Sequence, residues 1–268
     1  MIIDYHVHTN FSPDSSMSMI EACNRSIENG VKEICFTDHI DLEANKKLTQ
    51  INIDLESYIY NIDTCKDLFK NRLIIKKGIE LGIQPEILSN SYEFLRNYRL
   101  DFIIASIHAV KNQYIFLKEY MENKNIEEQI LEYYMSLLSS IQSAEFFNVI
   151  GHIDVIKRYI PKDYSNQEYD SNFKELIENI LKILINKNKG IEVNTSGISY
   201  GLNDFHPSKD ILMMYKELGG SIITIGSDAH KPEFIGAHVN NAIELLRSIG
   251  FKYITVFEEG KPHFIKIT

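Results

Sequence analysis

Short apolar runs alternate along this chain with longer stretches in which apolar residues recur at helical spacing. The runs are rich in Ile, Val and Phe, which is typical of buried strands. Seven strands are predicted on this basis, at residues 2–7, 33–37, 73–79, 102–107, 148–153, 190–194 and 221–226. Helices are predicted at residues 18–29, 55–70, 126–144, 172–188, 208–218 and 239–249, and several of them are followed by Gly or Asn.

The alternation of strands and helices predicts an α/β protein with a parallel sheet, most economically closed as a barrel. Two apolar runs at 253–257 and 263–267 flank Glu-Glu-Gly-Lys-Pro, which indicates a short C-terminal hairpin. No linker or change of composition divides the chain, so we expect a single domain over residues 1–268. The segment near 111–147 is longer than a usual connection, and we expect a helical insertion there that forms a lid or pocket wall.

The composition is that of a globular protein, with 44% apolar, 24% charged and 11% aromatic residues among 268. The net charge of −9, without any basic run, disfavours a nucleic-acid partner. No stretch approaches the roughly 18 apolar residues of a spanning helix, and the N-terminus lacks the pattern of a signal peptide. We therefore expect a cytoplasmic protein without a membrane partner. The three cysteines have no CxxC or CxC spacing, which predicts buried thiols rather than disulfides or a thiolate zinc site.

Every predicted strand ends in a polar side chain that can bind a metal ion or a substrate. In a parallel barrel these ends converge on one face, where the active sites of such folds lie. Six of the nine histidines fall at these positions, which scattered structural histidines would not do. The residues at the strand ends are His6, His8, Asp38, His39, Glu80, His108, His152, Asp154, Asn194, Asp228 and His230.

Each of these groups also has an ordinary structural explanation when it is taken alone. His6 and His8 alternate along a strand and so face the same side, but they could be polar residues at a strand end. A single His108 would more often be a buried, hydrogen-bonded histidine, and Glu80 could be a surface carboxylate. The joint occurrence favours a metal centre, because several acids and histidines in one pocket are costly to bury unless cations pair with them.

The sequence resembles the polymerase and histidinol phosphatase (PHP) superfamily, and specifically its stand-alone histidinol-phosphatase branch. The resemblance extends over nearly the whole chain and implies a distorted, TIM-like barrel of seven β/α units. It rests on these segments, in chain order: Asp4-Tyr-His-Val-His-Thr9, Ser12-Pro-Asp14, Phe36-Thr-Asp-His39, Gly78-Ile-Glu-Leu-Gly82, Ser106-Ile-His108, Gly151-His-Ile-Asp154, Glu192-Val-Asn-Thr-Ser196 and Gly226-Ser-Asp-Ala-His230.

The resemblance further implies three neighbouring metal ions, with Glu80 bridging two of them. Nitrogen and oxygen ligands without thiolate fit Zn, Fe or Mn, so we expect two to three such divalent ions. Some relatives have histidine in place of Asp14, and an aspartate is still a competent ligand. The implied ligands are His6, His8, Glu80 and Asp228 for the first ion, Glu80, His108 and His152 for the second, and Asp14, His39 and His230 for the third. Four further residues are expected to orient imidazoles or touch substrate, namely Asp4, Asp38, Asp154 and Asn194.

A cluster of divalent ions suits the hydrolysis of a phosphate ester. Water that bridges two cations loses a proton near neutral pH and attacks as hydroxide, and the cations offset charge on the phosphoryl oxygens. No motif of a covalent phosphatase is visible, so no protein nucleophile is expected. The expected catalytic residues are Glu80, Asp228 and His230, and the proton for the leaving alkoxide comes from Asp228, His230 or metal-bound water.

Substrate contacts are expected from four residues near the strand ends: Lys157, Arg158, Asn194 and His206. A guanidinium has the fork geometry that suits phosphate, although this loop could also be solvated. His206 could instead be the residue at which a helix starts. Relatives often have a basic residue shortly after the turn at Gly197, whereas Ile198 follows here.

The expected function is hydrolysis of L-histidinol phosphate to L-histidinol and phosphate in histidine biosynthesis, with this small-molecule phosphate ester as the partner. One alternative is a PHP phosphoesterase that acts on another small phosphate, including a nucleotide or tyrosine phosphate. A second alternative is a non-catalytic PHP module that works with a nucleic-acid polymerase. The complete set of metal ligands and the acidic balance argue against the second alternative.

Overall fold

The computed structural model describes residues 1–42, 53–121, 125–161 and 166–267. Its strands, in chain order, are β1 (Ile2–Val7), β2 (Val31–Phe36), β3 (His39–Ile40), β4 (Ile74–Gly82), β5 (Phe102–Ser106), β6 (Ala109–Val110), β7 (Gln113–Tyr114), β8 (Val149–Ile150), β9 (Gly190–Asn194), β10 (Ile223–Gly226), β11 (Tyr253–Glu258) and β12 (Lys261–Lys266).

The helices are α1 (Met19–Glu28), α2 (Leu55–Phe69), α3 (Leu88–Leu95), α4 (Lys118–Met121), α5 (Ile126–Ser143), α6 (Asn166–Asn186), α7 (Ser196–Ser199), α8 (Lys209–Glu217) and α9 (Val239–Ile249). Short 3-10 turns lie at Pro85–Ile87, Val155–Arg158 and Pro232–Phe234. Helix α1 begins after Ser18, whose side chain accepts a hydrogen bond from the backbone N–H of Glu21, as an N-cap does. No helix of the described ranges is long and apolar enough to span a membrane.

Among the described residues, seven parallel strands form a nearly closed barrel in the order β1-β2-β4-β5-β8-β9-β10. Strand β3 pairs with the carboxyl half of β4. The barrel closes where the chain after β10 meets β1, because the backbone N–H of His8 donates to the carbonyl of Ala229 at 2.9 Å. The predicted α/β barrel of seven β/α units with a C-terminal hairpin is confirmed.

Strand β8 is shorter than the predicted strand at 148–153, and that boundary was wrong. The chain leaves the sheet after Gly151, whose N–H still donates to the carbonyl of Ala105. His152 takes a positive φ of 24°, and its backbone N–H donates to Glu192 Oε2 at 2.9 Å instead of to a strand. A buried carboxylate therefore ends this strand.

The segment after β5 starts as a β-hairpin and becomes helical only from Lys118. Strands β6 and β7 are joined by Lys111 and Asn112, which both have positive φ (51° and 61°), the geometry of a two-residue hairpin turn. Helix α5 then packs against α6, and none of its residues lines the cavity that contains Glu80. The part of this segment that faces the mouth is the loop at Tyr114, Ile115 and Phe116.

The core lies between the strands and the helices that surround them. Fully buried residues such as Ile34 on β2, Ile62 on α2 and Leu246 on α9 belong to one continuous apolar cluster. The hairpin β11–β12 adds to it, because the Phe257 ring lies 5.0 Å from the Phe102 ring. These apolar contacts hold the strands in place and fix where their carboxyl ends meet.

Candidate metal centre and phosphate site

Glu80, near the end of β4, lies at the middle of a cluster of imidazoles. Its side chain is buried, and Ser106 Oγ donates to Oε1 at 2.7 Å. The nearest imidazole nitrogens lie 2.8–3.4 Å from one or other carboxylate oxygen, and they belong to His6, His8, His39, His108 and His152. Five of the six strand-end histidines therefore meet at a single carboxylate.

Two further acids complete the cluster. Asp228 Oδ1 lies 3.4 Å from His8 Nε2 and 3.6 Å from His230 Nδ1. Asp14 comes from the loop after β1, and its Oδ2 lies 3.2 Å from His230 Nε2 and 3.4 Å from His39 Nε2. The structure thus brings together all nine residues that the sequence analysis named as metal ligands.

The imidazoles are oriented by acceptors on their outer nitrogens. His6 Nδ1 lies 2.6 Å from Glu192 Oε1, and His108 Nδ1 lies 2.8 Å from Asp41 Oδ1. A carboxylate can only accept, so Nδ1 carries a proton, and Nε2 is the nitrogen that faces the centre and is placed to bind a cation. His8 Nδ1 contacts Ser12 Oγ at 3.1 Å in the same way.

Glu192 and Asp41 were not assigned a role from the sequence. Glu192 is 1% exposed in a strand whose other residues before Asn194 are apolar or Gly, and this interruption was the signal that could have revealed it. Asp41 lies directly after β3, two residues beyond His39, and in an extended chain that spacing places both side chains on one side. Asp38, by contrast, was expected to orient an imidazole and does so indirectly, since Ser12 Oγ donates to its Oδ1 at 2.7 Å.

The atoms at the middle of the cluster fit bound cations. His6 Nε2, His8 Nε2 and His39 Nδ1 lie 3.0–3.4 Å from Glu80 Oε2. Within the described part of the chain, none of these four buried atoms has a hydrogen-bond partner. A buried polar atom without a partner costs about 1–3 kcal/mol. Divalent ions satisfy such a group, and nitrogen and oxygen donors without sulfur suit transition metals.

The electrostatic balance of the cluster supports an ionised Glu80. Burial alone would raise its pKa, but His6, His108 and His39 outweigh burial and hold the pKa well below its usual range. Glu80 is therefore a carboxylate that is available to bind cations.

Arg158 stands beside this cluster and is held by several partners. Its guanidinium donates from Nε to His206 Nε2 at 3.1 Å and also contacts Ser196 Oγ and Asp228 Oδ2. The guanidinium carbon lies 4.3 Å from the centre of the Tyr200 ring. Arg158 lines a cavity of about 530 Å³ that also contains Glu80 and His230. A fixed guanidinium therefore faces the same space as the candidate metal ligands.

The other three expected substrate contacts lie behind Arg158 and are absent from the lining of this cavity. His206 Nδ1 lies 2.7 Å from Asp154 Oδ1, and Lys157 Nζ lies 3.2 Å from Asp154 Oδ2. Burial lowers the pKa of His206, so its neutral ring donates to Asp154 and accepts from Arg158. The buried Asn194 amide contacts Glu192 and Ser196. These polar groups are engaged with protein partners, which leaves Arg158 as the one of the four expected substrate contacts that lines the cavity.

Comparison with known proteins places this site in a family. The model of the PHP domain matches residues 4–196, which include seven of the nine clustered residues. The chain belongs to the PHP domain family. It is 31% identical over 260 residues to the histidinol-phosphatase of Lactococcus lactis, covering 97% of this chain and 95% of the relative. It is 25% identical over 257 residues to the histidinol-phosphatase of Bacillus subtilis, covering 87% of this chain and 95% of that relative.

A solved structure matches this PHP chain along its whole length. It is the crystal structure of the histidinol phosphate phosphatase of L. lactis in complex with zinc, L-histidinol and phosphate. The two chains share 29% identity, the match covers 98% of each, and the TM-score is 0.89. This match shows that the chain shares the fold of that phosphatase.

Proposed function

We propose that this protein is a metal-dependent phosphomonoesterase that hydrolyses L-histidinol phosphate to L-histidinol and phosphate. The observation that carries the proposal is one cavity in which a cluster of candidate metal ligands, centred on Glu80, faces the fixed guanidinium of Arg158. The choice of substrate rests on two relatives that are histidinol-phosphatases, because this chain matches each of them over nearly its whole length.

The nine clustered residues are proposed to hold two to three divalent ions of Zn, Fe or Mn. Bound there, the ions would acidify a coordinated water and offset charge on the phosphoryl oxygens. Several overlapping groups of ligand atoms lie within 4.8 Å of one another, which supports more than one subsite. The proposed ligands are His6, His8, Glu80 and Asp228 for one ion, Glu80, His108 and His152 for a second, and Asp14, His39 and His230 for a third.

The remaining roles follow from the positions of the side chains. Arg158 binds phosphate oxygens, since a guanidinium forms paired, charge-assisted hydrogen bonds with them. Asp154, His206 and Lys157 hold Arg158 in place from behind. Asp228 and His230 both line the cavity. Burial would raise the pKa of Asp228, but His6 and its other neighbours hold that pKa well below its usual range, so Asp228 is ionised. The proton for the leaving alkoxide would then come from His230 or from a coordinated water.

The decisive experiment is a phosphate-release assay of the purified, metal-loaded protein. We expect turnover of L-histidinol phosphate well above that of nucleotides, phosphotyrosine and sugar phosphates. We also expect two to three equivalents of transition metal per chain and loss of activity with a strong chelator. Preference for another ester would overturn the substrate, and full activity in a metal-free protein would overturn the mechanism.

A further inference from the structure

Two aromatic side chains line the cavity: Tyr114 at the end of β7 and Phe116 on the loop that follows. Phe116 is 53% exposed although it is a large apolar residue, and Tyr114 stacks on it with ring centres 5.0 Å apart. Both residues line the cavity with the candidate metal ligands. Between them, Ile115 is buried, and its N–H donates to the carbonyl of His108 at 3.0 Å. The aromatic pair is therefore fixed to the strand end that carries one of the clustered histidines.

The role of Phe116 differs from that of the other aromatic residues of the cavity. Tyr200 already has the Arg158 guanidinium over its ring, at 4.3 Å. Phe116 has no polar atom to hydrogen-bond, and more than half of it stays exposed while Tyr114 covers part of its surface. A ligand with a planar or apolar group would bury this exposed ring, and that burial would stabilise the complex of protein and ligand.

The proposed phosphate ester has two chemically different ends. Its phosphate is suited to Arg158 and bound cations, whereas the face of an aromatic ring has no hydrogen-bond donor or positive charge for a phosphate. Its alcohol part carries a planar imidazole, which stacks on aromatic rings when neutral and is attracted to their faces when protonated. The cavity of about 530 Å³ is large enough for a ligand with both ends.

We propose that Tyr114 and Phe116 form an aromatic wall that binds the ring of the substrate's leaving group and so selects phosphate esters of ring-bearing alcohols. The proposal rests on the proposed function for the identity of the ring. It assigns specificity to a loop that contributes no candidate metal ligand.

The test compares Phe116→Ala with Leu117→Ala on three substrates. Leu117 is the matched control, because it is 40% exposed on the same loop and is absent from the cavity lining. The substrates are L-histidinol phosphate, p-nitrophenyl phosphate, which has a ring but no amine, and phosphoethanolamine, which has an amine but no ring. For Phe116→Ala we expect kcat/KM to fall about two- to thirtyfold for the two ring-bearing esters, as for loss of a stacking or cation–π contact, and to hold within about twofold for phosphoethanolamine.

Two further measurements make the outcome unambiguous. Phe116→Tyr should restore most of the ring-dependent activity, and every variant should keep the wild-type metal content. An equal fall on all three esters, or no fall on the ring-bearing pair, overturns the aromatic wall. A wild-type protein that hydrolyses p-nitrophenyl phosphate but not L-histidinol phosphate overturns the proposed substrate, and the aryl ester then still tests the wall.

Discussion

Five imidazoles of the site depend on one carboxylate, that of Glu80, because each has a nitrogen next to it. Glu80 lies within 3.4 Å of nitrogens from five histidines, and it is buried with them. Behind the imidazoles, Glu192 and Asp41 fix which nitrogen carries a proton. Removing one acid therefore changes the charge balance and the orientation of several ligands together.

Glu80→Gln tests this dependence. Glutamine keeps the shape but removes the charge that two proposed ion sites share, so we expect both to lose metal. Turnover should fall by at least about a hundredfold, the scale of losing a major electrostatic contribution. Metal analysis and steady-state kinetics measure the two effects, and Glu86→Gln, which removes an exposed charge just after β4, is the control. Full metal content with near-normal turnover would show that Glu80 is not a shared ligand.

Arg158→Ala separates phosphate binding from metal binding. The substitution removes the proposed phosphate contact but no proposed metal ligand, so the metal content should not change. A charge-assisted hydrogen bond of about 1.5–3 kcal/mol predicts a fall in kcat/KM of roughly ten- to hundredfold. Arg158→Lys should recover only part of it, because an ammonium lacks the paired geometry. Unchanged kinetics on every phosphate ester would exclude Arg158 as the phosphate ligand.

Among the strands and turns, side-chain alternation explains which site residues could be predicted. His6 and His8 share a side of β1, and their spacing of two residues shows this in the sequence itself. Glu192 and Asn194 share a side of β9 in the same way, but Glu192 lies two residues before the strand end and so escaped a search limited to strand ends. The β6–β7 turn was also not predicted, because Lys111 and Asn112 adopt positive φ and no glycine in the sequence indicates it.

Gly226 on β10 lies in close contact with residues of both β1 and β9. A Cβ at this position would collide with His6 Cβ on β1 and with Glu192 Oε1 on β9. We expect Gly226→Ala to lower the free energy of unfolding by about 1–3 kcal/mol, as overpacking does, and to lower activity by displacing His6. Urea denaturation measures the first effect. Ser221 is exposed just before β10, and Ser221→Ala is the control. Its free energy of unfolding should stay within about 0.5 kcal/mol of the wild-type value. A wild-type free energy of unfolding in Gly226→Ala would show that β1 and β9 can move apart to accept a Cβ at this position.

Across the whole molecule, the C-terminal hairpin is tied to the barrel. Tyr5 on β1 accepts a hydrogen bond from the N–H of Phe257 at 3.0 Å, and its ring lies 5.1 Å from that of Phe102. The turn between β11 and β12 contacts the start of β5, where the Gly260 N–H donates to the carbonyl of Asp101 at 3.0 Å. We infer that residues 1–268 form one domain. The sequence predicted the hairpin but not this docking, because the contacts join positions more than 150 residues apart.

Phe257→Ala tests whether hairpin and barrel unfold as one unit. Phe257 is 2% exposed, and truncating such a ring costs about 3–5 kcal/mol. If the two parts are one domain, the denaturation midpoints for loss of activity and loss of secondary structure should fall together, because the active site shares the same cooperative transition. Phe264→Ala, on the same hairpin but 51% exposed, should shift both midpoints little. Should Phe257→Ala leave the activity midpoint at its wild-type value, the hairpin would be an independent appendage, and the barrel alone would hold the site together.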